Sequence, residues 1–104
     1  MAKYLLLYRG GKMPESDEEQ KAVMAAWDSW FKSAGAAIAD AGNPFTPGGK
    51  RLGADGSISD TQADASGYTL VEADSLSAAA DIAKGSPVLQ GGATIDVYET
   101  FEVM

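Results

Sequence analysis

The chain has 104 residues, 45% of them apolar and 22% charged, with a formal net charge of −7 and neither histidine nor cysteine. That length predicts a single domain with one core, residues 1–104. The eight lysines and arginines are scattered rather than clustered, which argues against a nucleic-acid or anionic-membrane partner, and without thiols there are no disulfides and no thiolate chemistry.

"MAKYLLLYRGG" opens the chain with an apolar run over residues 4–8, too short for a signal-peptide core or a membrane span, and is read as a buried strand of a cytoplasmic protein. Tyr4, Leu6 and Tyr8 point one way and Leu5 and Leu7 the other, so this strand belongs in the middle of a sheet. Gly10 and Gly11 then release the chain. Ser16 and Glu19 have capping-box spacing, and Asp17 and Glu18 suit the positive end of a helix dipole, so a helix is expected from about Asp17. Val23, Trp27, Trp30, Phe31, Ala34 and Ile38 recur at steps of three and four and carry that helix to about Ala41, where Gly42 stops it. In "NPFTPGG", neither Pro44 nor Pro47 can continue it.

"KRLGADGSISDTQADAS" suggests two short strands, at 50–52 and 57–59, on either side of the Asp55-Gly56 turn signal. "GYTLVEA" is a clear strand. Asp74 or Ser75 then caps a second helix carrying Leu76, Ala79, Ala80 and Ile82, which Gly85 ends. "GGATIDVYETFEV" supplies the last strand, with Ile95, Val97, Phe101 and Val103 on one side and Asp96 and Tyr98 on the other. Strand, helix, strand or hairpin, strand, helix, strand is the ferredoxin-like split βαβ order: an α+β fold with an antiparallel sheet and two helices on one face. Two helices cover only one face, while the first strand is apolar on both. A homodimer packing two sheets face to face around a barrel-like centre is therefore expected.

The "KYLLLY" strand, the acidic "MPESDEE" helix start, "AWDSWF", "GNPF", "GYTLVEADSL" and the passage "KGSPVL" followed by "GG" together resemble the YCII-related domain family, in the branch near the so-called DGPF proteins. The resemblance covers almost the whole chain and rests on the order and spacing of these motifs. It implies a dimeric α/β barrel with a cleft near the subunit interface. It also implies a link with dehalogenation or other small-molecule chemistry in aromatic breakdown, or with sigma-factor regulation. Members of the YciI type are proposed to pair a histidine with an aspartate in the cleft. This sequence departs from that pattern, because it has no histidine, and "ADGSISD" keeps Asp55 and Gly56 but has Ser57 and Ile58 in place of proline and phenylalanine. A histidine–aspartate mechanism does not carry over.

With histidine absent, a general base would have to be a carboxylate, and Asp96 and Glu72 stand on strand faces that also carry Tyr98 and Tyr68. Solvated strand residues are the plainer reading of both. Asp74 is explained by helix capping, and the spacing of Trp27 and Trp30 by core packing, although one tryptophan can still line a cleft. Arg9 ends the first strand facing the start of the first helix, where it can meet a small anion or pair with a neighbouring acid among Glu15, Asp17, Glu18 and Glu19. Asn43 forms a turn with Pro44 and has an amide free for a ligand. The leading expectation is a homodimer that binds a small organic molecule in an interface cleft at Tyr8, Arg9, Trp30, Asn43 and Tyr98, with no metal and no cofactor. The rivals are a lyase, hydrolase or dehalogenase using Asp96 as base, and a regulatory protein-interaction module.

Overall fold

A computed structural model describes residues 2–12, 14–46, 48–61 and 65–103; the turn expected at Pro47 lies outside them. The first strand, β1 (Ala2–Arg9), alternates as its sequence requires, burying Tyr4, Leu6 and Tyr8. Helix α1 (Asp17–Ala34) starts as its cap residues dictate. Ser16 Oγ accepts the Glu19 backbone N–H at 3.1 Å, and the Glu19 carboxylate reaches back to the Glu15 N–H at 2.9 Å.

The helix ends earlier than the apolar stripe predicts. Gly35 takes φ +55°, its N–H bonds to the Phe31 carbonyl, and a 3-10 turn over Gly35–Ala37 leads into a strand, β2 (Ile38–Asp40). Ile38 therefore belongs to the sheet and not to the helical stripe. The alanines around Gly35 favour a continuing helix, but a residue with positive φ breaks the ladder before propensity counts.

The segment after β2 forms a hairpin, β3 (Lys50–Leu52) and β4 (Ile58–Asp60), which makes its own two-stranded sheet. The second strand of the main sheet is thus β2, not the hairpin. The Asp55-Gly56 signal does form the turn: Asp55 Oδ1 accepts the Ser57 N–H at 3.0 Å and Gly56 adopts φ +88°. That hydrogen bond holds the Asp55 carboxyl below its usual range.

Strand β5 (Ala65–Ala73) buries Gly67, Thr69, Val71 and Ala73. Helix α2 (Leu76–Ala83) follows, and Ser75 rather than Asp74 caps it, its Oγ accepting the Ala78 N–H at 3.1 Å. The last strand, β6 (Thr94–Glu99), stops before the final apolar residues, so Phe101 and Val103 are 81% and 76% exposed rather than extending the strand. Thr100 ends it by donating both its N–H and its hydroxyl to the Lys3 carbonyl.

The four-stranded sheet runs β2-β5-β1-β6 with every neighbour antiparallel, the ferredoxin-like arrangement. Both helices pack on one face, where Trp30, Ala79 and Ala83 meet Tyr4, Leu6, Tyr8 and Val71. Only the C-terminal half of α1 takes part; Val23 and Met24 stay exposed. The chain measures 44 × 38 × 18 Å with a radius of gyration of 15.1 Å, against about 13 Å for a compact chain of this length. Its accessible surface is 7448 Å², roughly 1,900 Å² more than the scaling for a folded monomer of its mass gives.

Candidate functional site

The sheet divides the candidate residues between its two faces. On the helix side Tyr8 lies in the core, its ring 5.8 Å from that of Trp27, and Trp27 meets Trp30 edge-on at 5.7 Å. Trp30 is also buried and donates its indole N–H to the Ile82 carbonyl at 3.0 Å, so it fastens α1 to α2. Neither side chain is open to a ligand in this arrangement.

Tyr8 instead belongs to a buried hydroxyl chain. Thr69 Oγ1 donates to the Ala41 carbonyl at 3.0 Å, which uses its only proton, so the 2.6 Å contact with Tyr8 has the phenol donating to Thr69. Burial pushes the Tyr8 phenol above its usual pKa, and the neighbouring Thr69 and Ser86 hydroxyls pull the other way. Ser86 Oγ is close enough to act on the phenol, yet among the described residues it has no hydrogen-bond partner of ordinary geometry.

The opposite face carries the remaining candidates. Strand register sets Leu5 beside Tyr98 and Leu70, and Leu7 beside Asp96 and Tyr68, so these six side chains share one surface. Arg9 stands on it too: its Nε lies 2.5 Å from Asp96 Oδ2, with the two side chains 32% and 41% exposed. Arg9 thus points away from the first helix and pairs with a strand acid, not with Glu15, Asp17, Glu18 or Glu19. The alternation that puts Leu5 and Leu7 on this face extends to residue 9 and would have placed it. Glu72 lies across from Lys3 on the same side.

Asn43 sits at the rim. Its carbonyl accepts the Tyr68 N–H at 3.3 Å, Pro44 bridges to Gly67, and the Phe45 ring stacks on Tyr68 at 6.0 Å. Arg9, Asp96, Tyr98 and the Asn43 rim therefore belong to one side of the sheet, and Tyr8 and Trp30 to the other. Sequence reasoning named Tyr68 beside Glu72 without joining it to Arg9 and Asp96, and it missed Leu70 as a member of this surface and Thr69 as the partner of Tyr8. The alternation Gly67, Thr69, Val71, Ala73 was the available signal for both, since it buries the odd positions and turns the even ones outward. Among the described residues no cluster of acidic side chains is placed to hold a metal ion, and no helix is long and apolar enough to cross a membrane.

Residues 2–104 match the YCII-related domain. The chain belongs to the YCII-related family. Its motifs are now structural parts: "AWDSWF" supplies the aromatic anchor of α1, and "GYTLVEA" supplies the central strand β5. Among solved structures, this YCII-related chain is similar to the 5-chloro-2-hydroxyhydroquinone dehydrochlorinase TftG from Burkholderia phenoliruptrix AC1100, in complex with 2,5-dihydroxybenzoquinone. The identity is 23%, the match covers 95% of this chain and 93% of that one, and the TM-score is 0.52, a likeness of fold. No curated protein matches the sequence.

Proposed function

We propose that this YCII-related protein is a homodimer whose two uncovered sheet faces pack together, and that it binds a small hydroxylated aromatic or quinoid molecule in the cleft beside Arg9 and Asp96. The observation carrying this reading is the face itself: Leu5, Leu7, Tyr68, Leu70 and Tyr98 present apolar and aromatic surface, with one ion pair set among them. Both helices pack on the other side, so the surface needs a partner, and a self-complementary one closes without leaving a sticky remainder. The surface in excess of a compact monomer agrees, since each partner in a standard interface contributes about 800 Å².

Covering Arg9 and Asp96 removes water from a charged pair, and a guanidinium in such a site is suited to a ligand oxygen carrying negative charge. Tyr98 and the Asn43 rim add hydrogen-bonding groups, whereas Tyr8 and Trp30 support the sheet from behind. The dehydrochlorinase neighbour supports the ligand class to be tested, a six-membered ring bearing oxygens. It also keeps a second reading in view, dehydrochlorination by this chain, in which Asp96 would have to leave Arg9 to accept a proton.

Calorimetric titration with 2,5-dihydroxybenzoquinone and related hydroxyquinones tests the binding reading. Saturable binding is expected, one molecule per protomer, weakened about tenfold or more in Arg9→Gln, because charge-assisted hydrogen bonds are the strong ones. Affinity unchanged in Arg9→Gln, or no binding by any of these compounds, would remove the site. Chloride release from a chlorinated hydroquinone, abolished in Asp96→Asn, would favour the enzymatic reading.

A further inference from the structure

The hairpin β3–β4 contributes nothing to the core of its own chain. It is a separate two-stranded sheet with three residues in each strand, and every residue from 50 to 60 is exposed. Leu52 and Ile58 stand directly opposite each other and are 67% and 68% exposed. A lone hairpin of this length is at best marginally stable in water, and packing of an apolar face against another surface is what stabilises one. Among the described residues its ion pair is internal, Lys50 to Asp60 across the two strands.

The hairpin is rooted beside the uncovered sheet face. The chain enters it from Pro44 and Phe45; Pro44 is bridged to Gly67, and Phe45 is stacked on Tyr68. Tyr68 belongs to the uncovered sheet face, so the hairpin departs from the rim of that face. At its base the Thr61 N–H bonds to the Gly49 carbonyl at 3.0 Å and joins the two legs, which approach so closely that a Cβ on Gly49 would stand 2.8 Å from the Thr61 methyl. The surface in excess of a compact monomer is about twice what one side of a standard interface buries, which leaves area for more than the sheet face alone.

We propose that the β3–β4 hairpin is an intersubunit arm that packs Leu52 and Ile58 on a second copy of this chain, at the rim of its uncovered sheet face. Two-fold symmetry makes the exchange reciprocal, each copy giving one arm and receiving one. The inference rests on the face-to-face dimer proposed above and adds the part of the interface that the flat sheets do not supply.

Sedimentation equilibrium of the full chain and of a Leu52→Ser/Ile58→Ser variant decides it. The wild type is expected to be dimeric and the variant's dimer dissociation constant to rise about tenfold or more, as for apolar anchors at an interface, with the far-ultraviolet circular dichroism unchanged. A wild-type dimer with an unaltered constant in the variant overturns the arm and leaves the sheet-to-sheet dimer standing. A monomeric wild type overturns both. Because the chain has no cysteine, a spin label on Ser59→Cys gives a second reading that leaves the apolar pair in place. The label is expected to be immobilised in the dimer and freed on dilution; equal mobility at every concentration contradicts the arm.

Discussion

Thr69 is the residue on which the interior polar chemistry turns. It accepts from Tyr8 and donates to Ala41 at full burial. Thr69→Val keeps the shape and removes both contacts, leaving the Ala41 carbonyl and the Tyr8 phenol to satisfy themselves, at a cost of about 1–3 kcal/mol. Tyr8→Phe removes only one contact and leaves Thr69 bonded to Ala41, so it is expected to cost less, about 1 kcal/mol. Urea denaturation of the two variants tests that order, and equal losses would show that the chain of hydroxyls is not directional. The raised Tyr8 pKa adds a dependence on pH. The unfolded phenol ionises first as pH rises past about 10, so the contribution of its neutral buried state is complete below that value and is lost as pH climbs toward the folded pKa. Tyr4, raised by burial and then by the Glu99 carboxylate, acts in the same sense. The decline in stability above pH 10 is therefore expected to be shallower in Tyr8→Phe than in the wild type.

Among the elements, the short edge strand β2 is held by a tight passage of backbone. Asp40 Oδ1 accepts the Gly42 N–H at 2.9 Å, and Gly42, at φ +73°, lets the chain run so close to β5 that a Cβ there would stand 1.8 Å from the Tyr68 carbonyl oxygen. Gly42→Ala combines backbone strain with a clash that no side-chain motion relieves, and should cost about 3 kcal/mol or more; a urea midpoint within error of the wild type would refute this account of the edge. The same region shows what was legible beforehand. The helix caps, β1, β5, α2 and the Asp55-Gly56 turn all follow from local patterns, because alternation, capping residues and turn chemistry act within a few positions. β2 escaped because three residues are too few to show alternation and because Ile38 continues a helical spacing that Gly35 had already interrupted. The run past Thr100 misled for a related reason: Phe101 and Val103 keep the period of a strand but lie beyond the end of β6, exposed. The site was half legible. Composition and phasing put Asp96 and Tyr98 on one face, but the rule that buries aromatic residues left open which sheet face would receive Tyr8 and Trp30, and contact between Arg9 and Asp96 is a relation between strands 87 positions apart.

At the scale of the whole molecule, the chain is a thin slab with helices on one side and leucines and tyrosines on the other. Its hydrophobic layer on the helix side accounts for folding, while Leu5, Leu7, Tyr68, Leu70 and Tyr98 stand on the face without helices, and burial of apolar surface is the dominant force available to recruit a partner there. In the proposed dimer, the negative net charge would keep separate dimers apart in solution without opposing an interface whose own charges, Arg9 and Asp96, are paired. The proposed ligand site and the proposed arm both depend on a second copy covering that face. Native mass spectrometry of the untreated protein at micromolar concentration tests it most directly, because it reports subunit number and any retained molecule together. The account predicts a species at twice the 10.8 kDa chain mass, either bare or with a small organic addition in stoichiometric amount; a spectrum containing the single chain alone would contradict it.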